Sequence, residues 1–236
     1  MNKELRTILI LHGWGLRGNI YKNLQTLLEK EGYKVFVPDM PGFGDEPLTN
    51  SAMNLTDYVN FVKKYIVKKG LSEVIVIGHS FGGRVGLKLS YLYPRLVKTL
   101  VLTGVPVVRH INIKGKIVKF FLKNLIGLRP VFPVSLLKFG RKIIYRFIGE
   151  YDYYKAGNLK KTFQNIINED ISLYAAKLIM PVLLIWGEDD IFTPVSDVEK
   201  IKLIMPRVSS VILKSNGHRL PYENPKIFIE VMKQYI

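Results

Sequence analysis

The sequence predicts an α/β fold, in which a parallel sheet of about six strands is covered by helices on both faces. Short apolar runs rich in β-branched residues alternate along the chain with amphipathic stretches. These runs are continuously apolar instead of alternating with polar residues, which is typical of strands buried on both sides. Hydrophobic residues make up 48% of the 236 residues, enough to fill a substantial core.

The elements follow one another in a regular order. The predicted strands are RTILILHG, YKVFVPD, EVIVIG, VKTLVLTG, PVLLIWG and SSVILKS. The intervening stretches have helical periodicity, and the first of them places four apolar side chains on one helical face: Ile20, Leu24, Leu27 and Leu28. For the second helix, LTDYVNFVKKYIVKKG, Thr56 is the predicted N-cap.

The alternating pattern stops between Pro106 and Lys177, where the sequence is helical and loop-like with no clear strand. We therefore divide the chain into a core of residues 1–105 and 178–236 and a helical insertion of residues 106–177. The insertion holds 14 of the 35 Lys and Arg residues but only four of the 19 Asp and Glu residues. It thus concentrates the net charge of +16.

This basic charge has two readings. Lysines on a solvated surface explain it without any partner, whereas an anionic membrane surface or an acidic carrier protein would be attracted to it. No nucleic-acid recognition motif accompanies the charge, so we do not expect a nucleic-acid partner.

The segment Gly78-His79-Ser80-Phe81-Gly82 fits the pattern G-x-S-x-G and lies between a predicted strand and a predicted helix. A nucleophilic serine in this position needs a sharp turn with a strained backbone, and glycines let the strand and the helix pass close to that turn. Ser80 is therefore the predicted nucleophile. The backbone N–H of Phe81, directly after it, is a predicted oxyanion donor.

A serine nucleophile needs a base, and the base needs an acid that orients it. Of the four histidines, His218 follows the last predicted strand, at the sheet edge where Ser80 also emerges. The acid is expected just past the fifth strand, in the run Glu188, Asp189 and Asp190. The physical argument leaves Asp189 and Asp190 both open.

Five short motifs occur in a defined order: LHGWG, DMPGFG, GHSFGG, WGEDD and GHRLPYENP. With them the chain resembles the α/β-hydrolase fold superfamily, as a small esterase- or lipase-like member. The resemblance favours Asp190 over Asp189, since Gly187 and Asp190 match the family's G-x-x-D motif. It also implies Trp14 as the second oxyanion N–H donor and the insertion as a cap. We expect no counterpart of the family's first two antiparallel strands and hence a reduced sheet.

The expected function is that of a serine hydrolase that cleaves a carboxylic ester, or a related acyl bond, of a small molecule through a Ser80–His218–Asp190 triad and an acyl-enzyme intermediate. The reaction needs no metal and no organic cofactor. Two alternatives remain open: C–C bond hydrolysis or other triad chemistry on the same fold, and a binding protein of this fold without catalysis.

The cellular setting is inferred from composition. The chain has no cysteine, so it contains no disulfide and no thiolate site. Its first apolar run leads into a glycine motif instead of a cleavage site, and none of its apolar stretches reaches the roughly 18 residues needed to span a bilayer. We therefore expect a cytoplasmic protein.

Overall fold

The structure is a computed structural model that describes residues 6–108 and 157–236. Its sheet has the strand order β2-β1-β3-β4-β5-β6, and every pair of neighbours is parallel. This confirms the predicted six-stranded parallel sheet. The strands are β1 (Thr7–Leu11), β2 (Lys34–Phe36), β3 (Val74–His79), β4 (Val97–Thr103), β5 (Val182–Gly187) and β6 (Val208–Leu213).

Helices connect the strands in the described ranges. In chain order they are α1 (Lys22–Lys30), α2 (Leu55–Lys68), α3 (Phe81–Leu92), α4 (Lys160–Asn168), α5 (Ser172–Ala175), α6 (Ser196–Ile204), α7 (Leu220–Glu223) and α8 (Pro225–Lys233). Short 3-10 helices precede α1, β4 and α4. Within these ranges, no helix combines the length and the apolar character that crossing a membrane requires.

The sheet separates two hydrophobic cores. Alternate side chains of β1 point to opposite faces, so Ile8 and Ile10 join one core while Leu9 and Leu11 join the other. The first core contains residues of α1 and α8, and the second contains residues of α2, α3 and α6. Burial on both faces explains why the inner strands β1, β3 and β5 are continuously apolar in sequence, whereas the edge strands β2 and β6 are partly exposed.

Two local predictions were wrong. Ile20 lies in the 3-10 helix before α1 and is 43% exposed, whereas the neighbouring Tyr21 is fully buried. The cap of α2 is Asn54, not Thr56: its side chain accepts from the backbone N–H groups of Thr56 and Asp57, and the Asn54 N–H donates to the Asp57 carboxylate. Asn54 takes this role because it has the extended backbone that an N-cap needs.

The end of the predicted insertion packs on the core through α4 and α5. The backbone N–H of Met53 donates to Thr162 Oγ1 at 3.0 Å, and Asn165 Nδ2 donates to the Met53 carbonyl at 3.2 Å. Residues 109–156 of the insertion lie outside the described residues, together with most of its basic side chains.

Candidate active site

Ser80 stands in a sharp turn between β3 and α3. Its φ of +51° and ψ of −115° fall in a region that residues other than glycine rarely adopt, at a cost of about 1–3 kcal/mol. The turn is held by backbone hydrogen bonds: the Ser80 N–H donates to the Thr103 carbonyl at the end of β4, and the Ser80 carbonyl accepts from the Gly83 N–H, each at 3.0 Å. Ser80 is therefore fixed at the carboxyl edge of the sheet.

Glycines make this turn sterically feasible. A Cβ on Gly78 would lie 2.5 Å from the Cα of Gly83, and a Cβ on Gly82 would overlap the carbonyl of Leu11 at the end of β1. The turn is thus packed against itself and against the end of β1, with no room for larger residues.

Asp190 and His218 are in direct contact. The Nδ1 atom of His218 lies 2.8 Å from Oδ2 of Asp190, whose residue is only 4% exposed. The same carboxylate accepts three further hydrogen bonds, from the N–H of Phe192 and from the N–H and hydroxyl of Thr193. The neighbouring Asp189 is exposed to solvent, so the structure brings Asp190 and not Asp189 to the imidazole.

The electrostatics of Asp190 suit an orienting carboxylate. Burial alone would raise the pKa of Asp190, but hydrogen bonds from His218 and Thr193, together with attraction to His218, outweigh it and hold the pKa below its usual value. An ionised Asp190 accepts a hydrogen bond from the Nδ1–H of His218. The Nε2 atom is then the unprotonated nitrogen of the neutral ring.

Two contacts place His218 beside the serine turn. The carbonyl of His218 accepts a hydrogen bond of 2.9 Å from Nε2 of His79, the residue before Ser80. A Cβ on Gly104, which follows β4 with φ +60°, would lie 2.7 Å from the His218 ring. His218 therefore rests on the ends of β3 and β4, the two strand ends that hold Ser80.

Trp14 and Phe81, the two residues predicted as oxyanion donors, are neighbours in the structure. Their rings make an edge-to-face contact with centroids 5.4 Å apart. Phe81 begins α3, so its N–H has no acceptor within the helix. Within the described ranges, neither residue's backbone N–H donates a hydrogen bond to the protein.

The fold agrees with the comparisons. A family model described as alpha/beta hydrolase fold matches residues 6–151.

The chain belongs to the α/β-hydrolase fold family.

Relatives of this α/β hydrolase carry esterase and lipase names. It is 25% identical over 248 residues to "Putative esterase/lipase 2" of Mycoplasma pneumoniae, covering 100% of this chain and 90% of the relative. It is 24% identical over 252 residues to the pimeloyl-[acyl-carrier protein] methyl ester esterase of Wigglesworthia glossinidia brevipalpis, covering 97% and 93%. The solved structure of an esterase from Exiguobacterium antarcticum superposes with a TM-score of 0.74 at 18% identity, covering 98% and 91%. The chain is thus an esterase- or lipase-like α/β hydrolase.

His12 of this hydrolase is a structural residue of the loop after β1. Its Nε2 accepts from the Met40 N–H at 2.9 Å, so its Nδ1 carries the proton and donates to the Gly13 carbonyl, also at 2.9 Å. Burial lowers the pKa of His12, which keeps the ring neutral in this role.

The sequence reasoning missed three residues that shape the site of the hydrolase. Gly104 makes room for the His218 ring, and the one available signal is its place directly after β4. Asn216, only 8% exposed, ties the loop of His218 together: its side chain donates to the Lys214 carbonyl and accepts from Asn224. Tyr21 gives no sequence signal, since its contact with His79 joins residues far apart in the chain.

The described residues do not meet the requirements of a metal site. Across residues 6–108 and 157–236, no three His, Asp or Glu side chains are grouped so that they could hold a metal ion.

Proposed function

We propose that this α/β hydrolase is a serine hydrolase that cleaves carboxylic esters through an acyl-enzyme. The supporting observation is the 2.8 Å contact between His218 Nδ1 and Asp190 Oδ2, at the strand ends that also hold Ser80 in its strained turn. An imidazole oriented in this way, beside a serine at a helix N-terminus, has the parts that acyl transfer needs.

In the proposed reaction, Ser80 Oγ attacks the ester carbonyl carbon while Nε2 of His218 takes the hydroxyl proton. The backbone N–H groups of Trp14 and Phe81 donate to the oxyanion of the tetrahedral intermediate, each worth about 3 kcal/mol at the transition state. His218 then gives its proton to the departing alkoxide. Water, deprotonated by His218, attacks the acyl-enzyme, and the acid leaves as Ser80 regains its proton.

The rival functions have weaker support. C–C bond hydrolysis uses the same three side chains, but the relatives' names point to esters. A binding protein without catalysis would be free to lose one member of the triad, whereas Ser80, Asp190 and His218 are all present and the last two are hydrogen-bonded.

The decisive experiment compares Ser80→Ala with the wild type, using a fluorophosphonate probe and a panel of p-nitrophenyl esters of increasing acyl length. We expect Ser80→Ala to abolish labelling and to lower kcat by at least about 10⁴-fold, because the nucleophile is lost. The control Ser209→Ala changes an exposed serine of β6 and should leave both readouts intact. A folded wild type that neither reacts with the probe nor cleaves any ester would refute the proposal.

For the surroundings of the substrate, we propose an anionic surface as the partner of the basic insertion, either lipid or an acidic carrier protein. The support is the concentration of Lys and Arg in residues 106–177. Co-sedimentation with neutral and with anionic liposomes tests whether the partner is lipid. Retention only on anionic liposomes favours a lipid partner, whereas equal retention on neutral and anionic liposomes contradicts an anionic lipid partner.

A further inference from the structure

Behind the site, a chain of hydrogen bonds joins two loops that are remote in sequence. The hydroxyl of Tyr21 lies 3.3 Å from the backbone N–H of Gly13 and 2.7 Å from Nδ1 of His79. The other ring nitrogen of His79, Nε2, lies 2.9 Å from the carbonyl oxygen of His218. Tyr21 and His79 are both buried, at 0% and 2% exposure.

The chemistry of the partners gives this chain a direction. The carbonyl of His218 can only accept, so Nε2 of His79 carries the proton. In a neutral imidazole Nδ1 is then an acceptor, and the Tyr21 hydroxyl donates to it while accepting from the Gly13 N–H. Every donor in the chain from Gly13 to His218 therefore has one matching acceptor.

His79 must stay neutral for this arrangement to hold. Burial, reinforced by the nearby His218, lowers the pKa of His79 to about 3. The titratable groups that face His79 by ring contact, hydrogen bond or charge are Tyr21, Tyr222, His218, Asp190 and His12. At neutral pH the ring therefore has a single proton.

We propose that Tyr21 and His79 are positioning residues that join the oxyanion loop to the backbone of His218 through this one-way chain of hydrogen bonds. The inference rests on the proposed function. Gly13 directly precedes Trp14, and His79 directly precedes Ser80, so one chain fixes the proposed donor, nucleophile and base relative to one another. The ring of Tyr222, on α7 just after His218, packs against both Tyr21 and His79 and closes the cluster.

A matched pair of variants tests the chain. His79→Asn is too short to reach the His218 carbonyl, whereas His79→Gln keeps an N–H near the position of Nε2. We expect His79→Asn to lower kcat about tenfold with KM within about twofold, since a misplaced base slows chemistry more than binding. His79→Gln should recover most of that loss. Tyr21→Phe, which removes the shared hydroxyl, should lower kcat about as much as His79→Asn.

The kinetic comparison is made on variants whose circular dichroism shows the native fold. A folded His79→Asn variant with wild-type kcat would overturn the proposal. So would a His79→Gln variant as impaired as His79→Asn, because a merely structural role for the ring would not distinguish them.

A second measurement needs no turnover. In ¹⁵N NMR spectra of the whole protein, His79 is expected as the neutral tautomer with the proton on Nε2, unchanged between pH 8 and about pH 5. The opposite tautomer, or titration of His79 within that range, would overturn the chain even if the protein were not an esterase. A folded wild type that neither reacts with the fluorophosphonate nor cleaves any ester would instead refute the proposed function, so the two failures are distinguishable.

Discussion

The N-terminus of α3 and the flank of α3 that faces α4 and α5 are held in place by different kinds of contact. At its N-terminus, the site is positioned by backbone: Ser80 hydrogen-bonds to the end of β4, and Gly82 packs against the end of β1. On the flank that carries α4 and α5, the contacts are made by long charged side chains that reach from α3, chiefly Arg84 and Lys88.

The anchor on that flank consists of Arg84, Lys88, Glu169 and Tyr174. Arg84, 6% exposed, donates to the carbonyls of Pro106, Ile166 and Glu169 at 2.7, 2.9 and 2.5 Å. Lys88 pairs with the Glu169 carboxylate, which also accepts from the Tyr174 hydroxyl. These bonds tie the end of the insertion to α3, the helix that directly follows Ser80.

The difference shows how rigidity and attachment are divided in this molecule. The glycines around Ser80 are in direct contact with backbone atoms, so the backbone of the site can shift very little. Charged side chains span a larger gap between two segments, and each depends on its partner because an unpaired buried charge is costly. Changes at the site should therefore act on catalysis, and changes in the anchor on stability.

Among variants that keep Ser80, the largest effect is expected at the acid, Asp190. Asp190→Asn should lower kcat about 10³- to 10⁴-fold, because an amide no longer holds His218 with its proton on Nδ1. Asp189→Asn is the matched control, since the Asp189 side chain is exposed, and kcat should stay within about twofold. Steady-state kinetics on a p-nitrophenyl ester measure both. Equal losses in the two variants would contradict the assignment of Asp190.

A smaller effect is expected where backbone meets the His218 ring. Gly104→Ala places a methyl group 2.7 Å from the ring at a φ of +60°, so it should displace His218 and lower kcat about 100-fold. Gly217→Ala, whose methyl would meet only the Asp189 carbonyl at 3.7 Å, should stay within about threefold. If Gly104→Ala were as active as Gly217→Ala, the close contact between Gly104 and the His218 ring would have no role in catalysis.

The smallest effect belongs to the anchor and should appear in stability alone. Lys88→Met leaves Glu169 without its cation and should lower the free energy of unfolding by about 2 kcal/mol. Lys64→Met, on the exposed side of α2, should change it by no more than about 0.5 kcal/mol. Urea denaturation measures both, and kcat of the folded Lys88→Met enzyme should be unchanged. A fall in its kcat would mean that the anchor also positions the site.

Much of the fold could be predicted because its signals are local. All six strands form where continuous apolar runs predict them, and the serine turn occurs between β3 and α3 as G-x-S-x-G indicates. The errors concern helix starts. Asn54 and Thr56 are both suitable caps by residue type, and only the backbone conformation, extended at Asn54, decides between them.

By itself, the sequence determined the order of strands and helices and the short segments that carry Ser80, Asp190 and His218, because apolar spacing and glycine motifs act over a few residues. Tertiary structure decided between Asp189 and Asp190, which the physical argument had left open and the family motif had favoured as Asp190. It alone brought Tyr21 and His79 together and attached the end of the insertion to α3. The physical reason is distance along the chain: Tyr21 and His79 are 58 residues apart, His79 and His218 are 139 apart, and Arg84 and Glu169 are 85 apart. Such pairs meet only when the sheet is complete, and no local pattern encodes them.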